Sequence, residues 1–376
     1  MIGPFGLHPN KTMASRALGL ARALVARGHA VQIFMPPWQI PTEADRHWQV
    51  DGVLLRYVPL GGGVPGITRL LLREVLAWQP DVVHSFKPKA YSGLAMWWLW
   101  QFRRERLRLV TDCDDWEGWG GWNDLAPYPL GQKLLFAWQE RWGMTHAHAL
   151  TVASRELQRL AWSRGAARQQ VVYLPNGAGI EEWKTKNKKQ KTERPLLLLY
   201  SRLFEFDVGR LVRILVGVRT AVPDLAILSV GTGLYADDAA QLQAQFAAAG
   251  LLDAVTDVGW VDVGELPALL STADVGIYLM EQSLLNRAKC PVKLADMIAA
   301  GLPVVAEAVG QVPEYVLQGQ NGLLRRSGDE AGLVADLVYL LQNRKERERM
   351  GENGRAHYAA HFSWDKAAEH VEACYK

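Results

Sequence analysis

Apolar residues along the chain alternate between two periods. Short β-rich runs at 30–34, 53–58, 82–84 and 107–111 are separated by longer stretches with helical spacing. Ala17, Leu20, Ala21, Leu24 and Val25 fall on one helix face, which ends at Gly28. After YLPNG at 173–177 the chain reads KTKNKKQKTERP at 184–195, basic and without apolar period, which marks a domain boundary. A second series follows at 196–200, 226–230, 275–279 and 303–306. This alternation predicts an α/β protein of two Rossmann-like domains with parallel sheets. The opening is unusual. A Rossmann domain normally starts with about five apolar strand residues, yet only Met1 and Ile2 precede Gly3-Pro4-Phe5-Gly6, so strand one is clipped or starts upstream.

Composition narrows the class. A chain of 376 residues, 49% hydrophobic and 22% charged, fits a globular protein of two domains. Apolar runs such as 94–100 are too short to span a bilayer, and the N-terminus lacks the pattern of a signal peptide. Cys113, Cys290 and Cys374 form neither a metal pattern nor a disulfide set, so a cytoplasmic location is expected. The net charge of +3 conceals an asymmetry: residues 1–194 hold 26 Lys and Arg against 16 Asp and Glu. Thirteen of the 15 tryptophans lie at or before Trp183. This basic, Trp-rich half suits an anionic membrane surface or a phosphate-bearing acceptor, although six of its cations sit in the segment 184–194. The run 94–100 with Arg103, Arg104, Arg106 and Arg108 reads as a membrane-surface patch or, better, as a sheet-covering helix.

The most informative segment is CPVKLADMIAAGLPVVA at 290–306, a loop, a helix from about Val292, a stop at Gly301 and a strand. Lys293 and Asp296 lie three apart in the first turn, where free N–H groups and the helix dipole favour an anion. Taken alone they read better as an ordinary first-turn pair on a core helix. Other marks occur in order: RGHAV at 27–31, PDVVH at 80–84, PNG at 175–177, VGTG at 230–233, GQVPE at 310–314, NGLL at 321–324 and FSW at 362–364. Together with K-x-x-D-x-M-x-A-x-G-x-P-V-V-A, the series closely resembles glycosyltransferase family 4 and covers nearly the whole chain.

The resemblance implies a GT-B fold, two Rossmann-like domains facing a central cleft. The expected divisions are an acceptor domain at 1–180, a linker at 181–194, a donor domain at 195–361, and a C-terminal helix at 362–376 packing back on the first domain. It implies a retaining, metal-independent transfer of a hexose-type sugar from a nucleotide-diphosphate sugar to a glycan, lipid-linked or small-molecule acceptor, with no cofactor. The leaving diphosphate would be stabilised by cations and backbone donors. Arg202 and Lys293 are assigned to that diphosphate, and Asp296 to the ribose. Gly6, Lys11, Gly231, Gly233 and Gly259 are assigned to donor-binding loops.

Two departures bear on the donor. The family's E-x7-E pair would fall at 288 and 296, which are Ala288 and Asp296 here. Glu281, Asn286 and Arg287 are the candidates to replace the missing glutamate. A family lysine beyond Arg202 is also absent; Lys293 or Arg210 is its candidate substitute.

In the first half, the loop from Gly3 to Met13 with Lys11 either faces a phosphate or is a plain capped helix start. The stretch TDCDDWEGWGGW at 111–122 gathers acids and tryptophans at a strand's carboxyl end, where α/β sites lie. Asp112 and Asp114 spell D-x-D, but a metal role is rejected because the motif sits in the acceptor half of a GT-B-like chain. His84, Asp114, Asp115, Trp116 and Glu117 are expected at the acceptor, with Asp114 occupying the place of the family's strand-end pair; an acidic cap on a helix is the alternative. Other readings are a GT-B epimerase or a non-catalytic GT-B scaffold.

Overall fold

A computed structural model describes residues 1–8, 12–179, 194–232, 236–262 and 264–376. The chain divides into two compact units. Unit 1 comprises Met1–Gly177, Ala288–Cys290 and Ser363–Lys376; unit 2 comprises Ala178–Arg287 and Pro291–Phe362.

In unit 1 the strands are β1 (Gln32–Met35), β2 (His47–Val50), β3 (Val53–Tyr57), β4 (Val82–Phe86), β5 (Arg108–Cys113), β6 (Ala149–Val152) and β7 (Val171–Tyr173). They form two ladders, β1-β3-β2 and β4-β5-β6-β7. Ile2 joins them, bridging in parallel to Phe34 of β1 and to Ser85 of β4. Its amide donates to His84 O at 2.9 Å, and Phe86 N donates back to Ile2 O at 2.9 Å. Residues 1–3 therefore act as the short central strand of one sheet, with β1 and β3 to one side and β4 to β7 to the other. Only β2 runs antiparallel, joined to β3 by a tight turn at Asp51 and Gly52, both in the left-handed region.

Helices cover both faces of this sheet. One core holds Leu20, Leu24, Ile33, Leu55 and Val371; the other holds Ile2, Leu71, Met96, Leu99 and Leu109. The helix Ala90–Arg103 buries Ala95, Met96 and Leu99, so the run 94–100 is a sheet-covering helix. The first helix, Leu18–Ala26, is preceded by a π turn, Met13–Ala17, whose Arg16 points into the core. The helix Trp364–Tyr375 contributes Ala367, Ala368, Val371 and Cys374 to the first of these cores.

Unit 2 carries β8 (Leu196–Tyr200), β9 (Ala226–Val230), β10 (Val255–Asp257), β11 (Val275–Tyr278), β12 (Val304–Glu307) and β13 (Gly322–Arg325). Their order is β10-β9-β8-β11-β12-β13, and every pairing is parallel. β8 is LLLLY with its four leucines buried, the continuous apolar run of a strand covered on both faces. Both units thus share one winding, in which the chain reverses beside the first strand. Ligands bind at such switch points, beyond the carboxyl ends of the strands. Among the described residues no helix is long and apolar enough to cross a membrane.

Candidate active site

The switch point of unit 2 lies between β8 and β11. A crevice opens there, lined by Tyr200, Ser201, Glu205, Phe206, Tyr278 and Lys293 among others. Lys293 stands in the first turn of the helix Val292–Ala299, with Nζ 5.2 Å from the centre of the Tyr200 ring. Burial pushes the Tyr200 hydroxyl upward, and Asp296 adds to the effect. Arg202 follows β8; its guanidinium stands 5.4 Å from the Trp260 ring, and its buried Nε donates to no acceptor among the described residues. The next residue, Leu203, has φ 69°, strained for a leucine, and its amide donates to Ser201 Oγ at 3.0 Å. Lys293 thus lines the crevice, and Arg202 follows two residues past the end of β8, at the place where an α/β sheet receives an anion.

The neighbouring loops are fixed by backbone bonds. Gly231, at the end of β9, has φ 86°, and a Cβ there would lie 3.1 Å from Ser201 O. Its amide donates to Gly259 O at 2.7 Å, while Gly259 N and Thr232 Oγ1 both reach Asp257 Oδ1. Asp296 is buried and accepts from Gly179 N at 2.7 Å. Lys11 and Gly233 lie outside the described residues.

Three candidates serve the scaffold. Asn286 is buried, and its Nδ2 donates to Glu205 O at 2.8 Å and Glu281 O at 3.0 Å, so it braces the loops after β8 and β11 and does not offer that amide to a sugar. Arg210 does not substitute for the missing lysine. Its guanidinium donates to buried Glu307, whose oxygens also accept from Met280 N and Gly328 N. Glu281 is exposed and accepts from Asp207 N at 2.9 Å. Ala288 is fully buried, and its carbonyl accepts from Ser154 Oγ at 2.6 Å within unit 1.

In unit 1 the switch point lies between residues 1–3 and β4. Gly6 is buried where a Cβ would come within 2.9 Å of the Tyr57 hydroxyl, which accepts from Leu7 N. Beyond β4 stand Lys87 and Lys89, which the sequence reading passed over. Lys87 Nζ lies 3.1 Å from Asp114, 3.3 Å from Asp115 and 2.7 Å from Glu117; Lys89 Nζ lies 2.6 Å from Glu117. Asp114, Asp115 and Glu117 are therefore brought together, but around two lysines. Lys87 and Ala90 both have positive φ. Gln139 holds Ala90 by N–H and C=O, and Ser92 Oγ donates to Lys87 O and Lys89 O. Two lysines directly after a strand were the available signal.

Two acceptor expectations need correction. His84 is buried, with Nδ1 2.9 Å from the Tyr375 hydroxyl and Nε2 3.2 Å from Thr151 Oγ1, so both ring nitrogens are occupied. Trp116 is buried beneath Arg164, donates to Trp119 O, and leaves no room for side chains at Gly118 or Gly121. Trp119 is the ring of this loop left exposed. Asp112 is fully buried, and both its oxygens are taken by Arg16.

Glu117 and the nearby Glu140 titrate in opposite directions. Burial alone would raise the Glu117 carboxyl, but Lys87 and Lys89 outweigh it and hold it at about 2. Glu140 is buried with neither oxygen hydrogen-bonded, so burial, and next the charge of Glu117, raises it well above 4.5. The Glu117 contribution to stability is complete above its unfolded value and fades as pH falls towards 2. Glu140 acts the other way, withdrawing stability as pH rises from about 4.5 through its folded value. Thermal melts across pH should therefore show Glu140→Gln gaining on the parent as pH rises, and Glu117→Gln losing most near neutrality. Parallel curves for parent and both variants would contradict this placement.

Comparisons with solved structures define the class. Sucrose-phosphate synthase from Thermosynechococcus elongatus superposes with a TM-score of 0.75 at 18% identity, over 100% of this chain and 98% of that one. Anabaena HepE, in complex with UDP and glucose, gives 0.69 at 16%, over 99% and 97%. The fold is that of the GT-B glycosyltransferases. Two family models match in succession: the glycosyl transferase 4-like domain over residues 11–177 and glycosyl transferases group 1 over 180–357. The GDP-mannose-dependent alpha-(1-6)-phosphatidylinositol monomannoside mannosyltransferase of Mycobacterium tuberculosis is 30% identical, over 93% of this chain and 90% of its own length. The phosphatidyl-myo-inositol mannosyltransferase of Mycobacterium leprae is 26% identical, over 100% and 96%. The chain belongs to the family 4 type of GT-B glycosyltransferases.

Proposed function

We propose that this glycosyltransferase moves a hexose-type sugar from a nucleotide-diphosphate sugar to a glycan, lipid-linked or small-molecule acceptor, with retention and without a metal. The carrying observation is the crevice of unit 2 at the switch point, lined by Lys293, with Arg202 two residues past the end of β8. Negative charge grows on the diphosphate as the glycosidic bond breaks, and preorganised cations stabilise it most at that moment. Asp296 receives the ribose. In unit 1, Asp115, the most open acid of the lysine-bound loop, offers an oxygen to acceptor hydroxyls, and Asp114 stands at the strand end. The names of the mycobacterial relatives make a mannosyl donor and an inositol-lipid acceptor the first pair to try.

The test is a thermal-shift screen over nucleoside diphosphates and their sugars, followed by transfer assays with EDTA and by product anomer analysis. The expected results are a raised melting temperature with one nucleotide family, transfer that survives EDTA, and an unchanged anomeric configuration. An indispensable Mg²⁺ or Mn²⁺, or an inverted product, would defeat the corresponding part of the proposal.

A further inference from the structure

The helix Leu130–Thr145 buries Phe136 and Met144, but it is apolar on its outward face as well. Gln139 and Glu140, on its inward face, are each 1% exposed, whereas Leu130, Leu134 and Trp138 on the outward face are 67%, 55% and 43% exposed. A surface helix of a water-soluble fold buries the opposite set. Its orientation is fixed, because Gln139 makes two hydrogen bonds to the backbone of Ala90 and Asn123 Nδ2 donates to Lys133 O. Six of the sixteen large hydrophobics exposed among the described residues fall within 119–138, with Trp119, Leu125 and Leu135 completing the set. Single exposed apolar side chains are ordinary, but a cluster of this density marks a contact surface.

Charge indicates what covers it. The helix has three charged residues, Lys133, Glu140 and Arg141; the acid is buried, and Arg141 is exposed three residues beyond Trp138, on the same side. From there a chain of half-buried rings, packed on the core beneath, leads on to exposed Phe102. Trp138 stacks on Trp142, Trp142 on His146, and His146 meets Trp100 edge-on. Arg104 lies over Trp100 and Arg103 over Trp98, beside exposed Phe102. An apolar and tryptophan-rich strip thus ends in arginines, on a segment 1–177 that holds 20 Lys and Arg against 13 Asp and Glu. Tryptophan and leucine with a basic rim suit the boundary between acyl chains and negatively charged headgroups.

We propose that the outward face of this helix docks in the plane of an anionic phospholipid bilayer. At 16 residues the helix is about 24 Å long, too short to span the hydrocarbon core but able to lie in the interface. The proposal does not depend on which sugar or acceptor the enzyme uses.

Cosedimentation of the full chain with vesicles tests it. Binding to mixed phosphatidylcholine–phosphatidylglycerol vesicles is expected, weaker on phosphatidylcholine alone and weakened by salt. Leu134→Glu with Trp138→Glu should reduce partitioning roughly a hundredfold, while its far-UV circular dichroism and cooperative melting stay as in the parent, which shows that the variant is folded. Arg104→Gln with Arg141→Gln should remove only the preference for anionic lipid. Failure of the parent to bind, or equal binding by the Leu134 and Trp138 variant, would overturn the proposal. So would a parent dimer in analytical ultracentrifugation that the same variant abolishes, because the face would then belong to a second copy.

Discussion

Replacing Arg16 with alanine is expected to cost unit 1 about 3–5 kcal/mol, the range for breaking a buried ion pair from one side. Arg16 is 1% exposed and Asp112 is 0% exposed. The guanidinium meets the carboxylate with two hydrogen bonds of 2.7 and 2.6 Å, and its third arm donates to Asn176 Oδ1 at 2.7 Å. Asp112 also accepts from Thr151 Oγ1, which in turn contacts His84, whose other nitrogen meets Tyr375. Burial works against the charge of Arg16, but Asp112 outweighs it and holds the guanidinium more firmly protonated. Without Arg16 the carboxylate is left in the core with only Thr151 to satisfy it. Urea denaturation should report the loss, and melting should fall by about 10 °C. A paired Arg16→Met, Asp112→Leu variant should recover much of it, since the desolvation cost disappears with both charges. If Arg16→Ala melts like the parent, the network is not holding unit 1 together.

That network also shows why the reading of D-x-D needed the fold. On paper, Asp112 and Asp114 are equivalent acids two residues apart. Alternation would put both on one face; the end of β5 at Cys113 separates them. Asp112, inside the strand, meets Arg16, a partner 96 residues away that no local pattern announces. Asp114 has already left the strand and meets Lys87. Strands with strong apolar runs, β8 and β9, fall where the periodicity puts them, because burial on both faces demands continuous hydrophobic residues. β2, β6, β7, β10 and β13 escape notice: all have only three or four residues, and all but β6 lie at a sheet edge, where one flank makes no such demand. At the opening, Ile2 pairs with β1 and β4 at once. In the site, residues marked by a motif were found on their own, whereas Lys87 and Lys89 carry no motif and emerge only when the loop after β4 meets the loop after β5.

Loss of Lys293 is expected to slow transfer more than it weakens donor binding. In the proposed reaction nothing covalent is asked of this side chain; it would supply a positive charge where the diphosphate departs, and departure is when that charge matters most. Lys293→Ala should lower nucleoside-diphosphate affinity about tenfold, the value of one charge-assisted hydrogen bond, and lower kcat by about a hundredfold or more, as removal of a preorganised donor does elsewhere. Arg202→Ala should act in the same direction, since it follows β8 at the same switch point whose crevice Lys293 lines. Their effects should not add, because each alone leaves the leaving group half neutralised. Neither change should unfold unit 2, whose core is built from Leu197, Leu199, Ile227, Ile277 and Val305. Calorimetry with the preferred nucleotide and single-turnover transfer separate binding from chemistry. Lys293→Arg keeps the charge and should restore binding better than rate, because a planar guanidinium places its donors differently from an ammonium. A Lys293→Ala enzyme with parental kcat would move the diphosphate away from this helix, and parental affinity in both alanine variants would remove it from the crevice altogether.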